Sequence, residues 1–534
     1  MARILVVEPV AQPGLDALSA AHETEVRLGL SRDELLRLLS EAGGWDALVV
    51  RSQTRVDDEL LAAAAPLLSV VGVASVGTDR IDLDAATRAG VMVVNAPTGN
   101  TIAAVEHTMA LMLAVLRRLA PADASVRKGE WARSRYTGTE LRGKTLGIIG
   151  LGKIGKALAR RASAFEARVL AYDPYLTAEQ ATEASARMVG LPELLLRSDI
   201  VTVHTPLTRE TRGMIGRAQL EAIKPGAFVL NVARGGIVDE KALADALRAG
   251  HLAGAAVDVY SAEPMAPDNP LRDAPNLLLT PHIGASTAEA QERVGTEMAE
   301  QVIAALAGIT PPYAVNAPAL AAGVVSRIRP YVELSSRLAG LARQLAPGPV
   351  GLLDLTYAGE IAGHECGPIR TAALAGILNA ITDQRVNAVN ADLVARERGL
   401  TVRETRTDAS EPWASLVTLA VAEADGAPAV RLAGSTAHGR PHLVSVDGFE
   451  IDAELAGTIL VTRHQDRPGV VGFVGTILAE AGINISSLEL SRLSVHGEAM
   501  MFVSVDGAVP AAVVERIGAE GGILEARVVV LSEP

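Results

Sequence analysis

Residues 144–173 read KTLGIIGLGKIGKALARRASAFEARVLAYD, and the fold is decided there. The apolar run 145–149 has the composition of a strand buried on both faces of a parallel sheet. Gly150, Gly152 and Gly155 follow as G-x-G-x-x-G, residues 153–165 have helix character, and a second apolar run, 168–172, ends on Asp173. Strand, glycine turn, helix, strand and acid are the full context of a dinucleotide fingerprint. Gly150 permits the tight turn, Gly152 lets a pyrophosphate approach the backbone, and Gly155 lets helix and strand pack closely. The helix N-terminus offers unpaired N–H groups and partial positive charge to the phosphates. Asp173 is placed to accept hydrogen bonds from the adenosine ribose and to repel a ribose 2′-phosphate. Residues 174–177, PYLT, contain no arginine to hold such a phosphate, so the expected cofactor is NAD, not NADP.

Downstream, the runs 200–204, 228–232, 255–259 and 277–280 read as further strands of the same sheet. The loops after them carry Thr205, Arg234, Glu263 and His282. Separate loops converging on one sheet edge are how an open α/β fold assembles a site. An arginine fork binds a 2-hydroxy carboxylate bidentately and polarises the carbonyl. A histidine takes the hydroxyl proton as hydride leaves for a nicotinamide. A neighbouring glutamate orients the imidazole and raises its pKa.

Upstream, residues 1–97 alternate strands (3–7, 47–50, 68–74, 91–95) with acidic- or cap-started helices (31–41, 57–64), the pattern of a small parallel-sheet domain. Arg51 and Ser52, and then Val76 and Gly77, lie just past strand ends. Residues 100–118 predict a helix with too many apolar positions for one stripe, hence one buried between domains. A helix over 286–307 is expected to return the chain to the first domain. The division is therefore 1–99 with 285–315, then 100–284 inserted, then 319–453 after a linker marked by Pro311, Pro312 and Pro318, then 454–534. In the third unit, 328–344 and 368–381 read as helices, and 417–423, 429–433 and 442–446 as strands. Its His364-Glu365-Cys366 run reads as a turn rather than a ligand set. The last unit has a β-α-β-β-α-β rhythm, the ferredoxin-like sandwich, with a first helix over 468–481 that starts on Pro468.

Composition narrows the class. The 534 residues are 49% hydrophobic, enough for several cores, and carry a net charge of −13, which disfavours nucleic acid and anionic membranes as partners. One cysteine, Cys366, excludes an internal disulfide and a cysteine-built metal centre and fits a reducing compartment. The opening MARILVVEP has no signal-peptide anatomy, and the apolar helix near 101–119 contains Glu106 and His107, so a soluble cytoplasmic protein is expected.

Residues 1–315 resemble the D-2-hydroxyacid dehydrogenase family through GLGKIG at 150–155, NVARGGIVDE at 231–240, DVYSAEP at 258–264 and PHIGAST at 281–287. Residues 458–531, with RHQDRPGVVGFVGTILAEAGINI, resemble an ACT regulatory domain. With an intervening domain between the two, the layout is similar to that of the family's long, amino-acid-regulated members. The resemblance implies two Rossmann-like domains, an α+β intervening domain and a ferredoxin-like ACT domain. It implies NAD-dependent oxidation of 3-phosphoglycerate to 3-phosphohydroxypyruvate, the first step of serine synthesis, in a homotetramer or homodimer.

The roles it implies are catalytic for Arg234, Glu263 and His282. Cofactor contacts fall on Gly150, Gly152, Lys153, Ile154, Gly155, Asp173, Thr205, Val232, Ala233, Arg234, Asp258, His282, Gly284 and Ala285. Substrate contacts fall on Arg51, Ser52, Asn100, Arg234 and His282, with Arg133 reaching a neighbouring subunit's site. L-serine is the implied effector, with Asp466 accepting its ammonium and His464 and Asn484 binding its carboxylate and hydroxyl across a two-fold contact. The resemblance departs at VASVGTDRID, where Val73 stands in place of the family's arginine; Arg51, Arg55, Arg80 and Arg135 are the candidates to replace its charge. Two other readings stay open: a reductase for another 2-keto acid such as glyoxylate, hydroxypyruvate or 2-oxoglutarate, and a binding protein that senses NAD or an amino acid.

Overall fold

The structure, a computed structural model, describes residues 1–531 except 42, 319–323, 347, 383–384, 410–411, 424–427 and 438; the expected start of the third unit, residue 319, falls outside them. The first sheet has five parallel strands in the order Glu23–Val26, Arg3–Val6, Ala47–Val50, Val70–Val73, Met92–Asn95. Its central runs are buried at every position because helices cover both faces. One face takes Arg32–Leu39, started by a Ser31 capping box, and Asp58–Ala64, capped by Asp57. The other face takes Ala288–Leu306, whose Met298 and Val302 pack on Ile4, Val6 and Val49. The helix expected over 286–307 therefore does return to the first sheet.

The second sheet has seven parallel strands in the order Leu277–Leu279, Gly254–Val257, Phe228–Asn231, Ile200–Val203, Thr145–Ile149, Arg168–Tyr172, Arg187–Met188. The order reverses beside Thr145–Ile149, so the glycine loop opens at the topological switch point, where such sheets bind ligands. Helix Thr101–Leu116 lies on this sheet with Met109, Met112 and Leu116 buried against Leu146, Leu230 and Ala256. The crossing between the two sheets is stapled by the return helix. Glu297 accepts from the N–H groups of Thr98 (3.1 Å) and Gly99 (3.0 Å), and Arg293 Nε donates to the Gly99 carbonyl (3.0 Å).

The third sheet is mixed and six-stranded, in the order Thr401–Thr407, Leu352–Gly359, Ser415–Ala422, Pro428–Ala437, Arg440–Val446, Phe449–Glu454. Helices Val325–Leu345 and Gly367–Leu378 pack on it. The His364-Glu365-Cys366 run is a turn: the buried Cys366 thiol donates to the carbonyls of Ile361 and His364. No cluster of metal-ligating side chains occurs among the described residues.

The fourth sheet is antiparallel, in the order Ile485–Arg492, Glu498–Val505, Gly457–Gln465, Ile523–Leu531, with helices Val470–Glu480 and Ala511–Gly518 on one face. This is the expected ferredoxin-like arrangement, with one correction. The first helix starts at Val470, not on Pro468, because Gly469 before it is left-handed (φ 98°). The other face of this sheet is not free. Ile459, Val461, Met500, Phe502, Val529 and Leu531 belong to the same core as Leu338, Leu355, Leu432 and Phe449 of the third unit. The side chain of Gln344 also pairs with the Val530 backbone, accepting from its N–H (3.0 Å) and donating to its carbonyl (3.0 Å). The third and fourth units are thus welded through one hydrophobic core.

Candidate active site

The glycine loop has the stereochemistry its sequence requires. Gly150 has φ 93°, and a Cβ there would lie 2.6 Å from the His204 carbonyl. A Cβ on Gly155 would lie 2.2 Å from the Gly150 carbonyl, whereas one on Gly152 would meet nothing within 4 Å. The turn and the helix packing therefore demand glycine at 150 and 155, while position 152 faces open space at a helix start with no side-chain cap. Asp173 Oδ2 accepts from the Leu151 N–H (2.9 Å) and Oδ1 from the Tyr175 N–H (3.0 Å), which seats the carboxylate at the rim of the loop. Thr205 Oγ1, on the adjoining loop, is buried without a partner among the described residues. A dinucleotide fits these residues: an open backbone cradle, an acid beside it and an orphaned hydroxyl. Lys153, in the first turn of the helix, places its ammonium 5.2 Å from the Tyr313 ring centre. Ile154 packs on the core beneath, and Val232 is buried beside it.

His282 Nδ1 and Glu263 Oε2 are 2.7 Å apart. The Glu263 hydrogen bond raises the His282 pKa above its ordinary value; burial works against this, and the charges of Glu263 and Asp258 add to the rise. On Glu263, burial pushes upward, but the bonds from His282 and the Tyr260 N–H leave its carboxyl below the usual range. His282 itself has a left-handed backbone, φ 52°, rare outside glycine. Asp258 explains how that is held. Its buried carboxylate accepts from the Thr280 hydroxyl (2.6 Å) and from the N–H groups of Ile283 (2.9 Å) and Gly284 (2.9 Å). Its backbone carbonyl accepts from the His282 N–H (2.8 Å). Asp258, given a cofactor contact on the resemblance, thus spends most of its visible bonds on the loop that carries His282, Gly284 and Ala285, with His107 Nε2 a further 3.3 Å partner.

Arg234 reaches across from the second sheet to the first, where its Nε donates to Asp79 Oδ2 (3.1 Å) and its Nη1 to the Ala233 carbonyl (2.8 Å). Arg51 and Asn100 line a cavity of about 130 Å³ between the first sheet's edge and the return helix, together with Ser75, Ala285 and Gln291. Asn100 Oδ1 is buried there without a partner among the described residues. Ser52 lies in the loop after Arg51, whose backbone is anchored by buried Glu8, accepting from the N–H groups of Ser52 (2.9 Å), Gln53 (3.0 Å) and Thr54 (2.8 Å). Glu8 and Gln291 were not singled out from sequence. A lone acid ending the first strand and a glutamine on a helix carry no local motif; the positions past Arg51 and past PHIGAST were the only hints.

Val73 is 1% exposed in the first sheet's apolar core, so no charge reaches the cleft from that position. Of its candidate replacements, Arg55 lies 3.7 Å from Asp57 and Arg135 lies 4.0 Å from Glu130, while Arg51 alone of the four lines the cavity. Arg133, in the exposed turn Arg133–Tyr136, meets none of these residues within one chain.

The residues expected to bind an effector are scattered too. Ile485 is level with Thr458 through Val505, and Arg492 with His464 through Ala499. Asn484, level with Gly457, and Asp466 therefore sit at opposite ends of the fourth sheet, roughly 30 Å apart at about 3.3 Å per residue. His464 is 2% exposed, its Nδ1 3.3 Å from the Thr462 hydroxyl, and burial lowers its pKa. Asp466 accepts from Arg492 (2.9 Å) and from the His496 N–H (3.1 Å).

A nucleotide sheet with an imidazole–carboxylate pair and an arginine at its C-terminal edge makes this chain an NAD-dependent dehydrogenase of the D-2-hydroxyacid class. Family models agree: the D-isomer specific 2-hydroxyacid dehydrogenase NAD-binding domain matches residues 109–284, the D-3-phosphoglycerate dehydrogenase intervening domain 327–447, and the ACT domain 458–522. Two relatives cover nearly all of it: D-3-phosphoglycerate dehydrogenase of Archaeoglobus fulgidus is 40% identical over 99% of this chain and 100% of its own, and that of Mycobacterium tuberculosis 42% over 95% of each. The chain belongs to the D-3-phosphoglycerate dehydrogenase family. Among solved structures, D-lactate dehydrogenase from Aquifex aeolicus, complexed with NAD and lactic acid, superposes with a TM-score of 0.51 at 29% identity, covering 57% of this chain and 96% of that one. No helix among the described residues is long and apolar enough to cross a membrane.

Proposed function

We propose that the chain oxidises 3-phospho-D-glycerate at C2 to 3-phosphohydroxypyruvate with NAD, opening the route to L-serine in the cytoplasm. The observation that carries the chemistry is the 2.7 Å His282–Glu263 pair on the same sheet edge as Arg234. Bound NAD supplies the hydride acceptor. Arg234 binds the substrate carboxylate and draws electron density from the C2 oxygen. His282, neutral and aimed through Nε2, takes the hydroxyl proton; Glu263 stabilises the imidazolium that results. Atoms balance: C2 loses a hydride and its hydroxyl a proton, leaving the ketone and a protonated His282. Arg51, Asn100 and Gln291 hold the phosphate end from the neighbouring cavity, which supports the phosphorylated substrate despite Val73. The working division is 1–99 with 285–315, 100–284, 319–453 and 454–534.

The active form is a homo-oligomer, a dimer or tetramer. Exposed Trp131 (77%) beside Arg133 supports a second copy on that arm, bringing Arg133 to the neighbouring site. Serine acts at the fourth sheet. Strand Ile485–Arg492 is an edge, and antiparallel pairing of two copies there sets Asn484 of one beside Asp466 and His464 of the other. Turnover of NAD with 3-phosphoglycerate, measured against glyoxylate, hydroxypyruvate and 2-oxoglutarate, tests the substrate; preference for an unphosphorylated acid would overturn it.

A further inference from the structure

Arg234 and Asp79 are 155 positions apart and come from loops on different sheets, yet they meet at 3.1 Å across the cleft. The loop that carries Asp79 is built to receive the guanidinium. Asn95 Nδ2 donates to the Val76 carbonyl (2.6 Å), and Ser75 Oγ lies 2.8 Å from the Gly77 carbonyl. A Cβ on Gly77 would lie 2.3 Å from Arg234 Nη2 and 2.6 Å from Asp79 Oδ2, so only glycine lets the guanidinium lie this close.

The hydrogen-bond inventory shows what the contact does. A guanidinium has five N–H donors. One goes to Asp79 through Nε and one to the Ala233 carbonyl through Nη1; the others meet no described residue. With Nε and one Nη1 donor taken, Nη2 keeps both of its donors and Nη1 one, and these are left to a ligand carboxylate. The pair is no clamp on the fold, because Asp79 is 55% exposed and ion pairs in water stabilise little. It constrains orientation instead.

We infer that Asp79 is a positioning residue for the substrate: it fixes the rotation of Arg234, so that the two terminal nitrogens present a preformed fork to the 2-hydroxy carboxylate. This rests on the reading of Arg234 as the carboxylate ligand. Asp79 touches neither substrate nor cofactor in this scheme, and its effect appears in substrate affinity, not in NAD binding.

The test uses the full chain. Asp79→Asn should raise the KM for 3-phosphoglycerate about three- to tenfold, the size of one charge-assisted bond in a half-exposed setting. Its NADH dissociation constant, read by fluorescence, and its Tm should stay at wild-type values. Asp79→Glu should recover part of the loss. In an Arg234→Lys background, which has no Nε–H, adding Asp79→Asn should change KM no further. An unchanged or lower KM in Asp79→Asn, with Arg234→Lys impaired, overturns the inference and leaves the role of Arg234 standing. A normal KM in Arg234→Lys overturns both. Parallel losses of NADH affinity and Tm would make Asp79 a structural residue and overturn it as well.

Discussion

The dehydrogenase edge and the ACT sheet hold their candidate residues in opposite ways. At the edge, loops from parallel strands bring Glu263 and His282 to 2.7 Å and Arg234 across to Asp79, all within one chain. In the ACT sheet, strand register drives Asp466 and Asn484 to opposite ends. Parallel strands put their C-terminal loops on one side, so sequence-distant residues converge. In the ACT sheet, helix Val470–Glu480 carries the chain back from the end of Gly457–Gln465 to the start of Ile485–Arg492, so residues on its two flanking loops separate. The first site gathers its imidazole, carboxylate and arginine within one chain. The second, as proposed above, draws on another copy.

The largest effect should come from His282→Ala. General acid–base catalysis contributes about 10²–10⁴-fold, and turnover should fall by that order while NADH binding persists. Turnover near wild type would remove His282 from the chemistry. Arg234→Lys keeps the charge but loses the planar fork, and kcat/KM should drop about 10²-fold; steady-state kinetics decide it.

Glu263→Gln sharpens the same half of the comparison through pH. Oxidation needs His282 neutral, and its pKa is raised chiefly by the Glu263 bond. Activity should therefore fall as pH drops through that raised pKa. Without the Glu263 charge this acid limb should move to lower pH, with a lower plateau. A limb that stays put, or moves up, would show that Glu263 does not set it.

Asp173→Ala should erode the preference for NAD over NADP by about tenfold, roughly one hydrogen bond to a charged group. Equal use of both cofactors by the wild type would defeat the ribose assignment. The smallest effect belongs to the other half. Asp466→Ala should raise the serine concentration for half-inhibition about tenfold or less, with uninhibited turnover unchanged. If calorimetry on the full chain detects no serine binding, the fourth sheet is scaffold only. The full chain is required, because excising 454–534 would remove Ile459, Val461, Met500, Phe502, Val529 and Leu531 from the core they share with the third unit.

Most strands of the two parallel sheets were legible because both faces are covered, giving unbroken apolar runs such as ALVV and TLGII. Edges were not. Glu23–Val26 and Thr401–Thr407 read ETEV and TVRETRT: each pairs on one side and is largely solvent-facing, so its composition is that of a loop. Strand Leu352–Gly359 went unread although Leu353, Leu355 and Tyr357 alternate inward. The motifs located Arg234, Glu263 and His282, since each follows a strand. They were silent on Asp79 and Glu8, whose partners lie far along the chain or on backbone. The welded core was invisible for a related reason. Alternation in Gly457–Gln465 and Glu498–Val505 shows that a face is buried, not what covers it.

That weld bears on how such a protein can change over generations. On the serine reading proposed above, a stop codon ahead of residue 457 would not simply release an enzyme blind to that effector. It would strip Ile459, Val461, Met500, Phe502, Val529 and Leu531 from the core that the two units share, and the third unit would lose stability with them. On that same reading, loss of the effector's control is open mainly to single exchanges in the exposed loops. The two C-terminal units must be inherited, and lost, together.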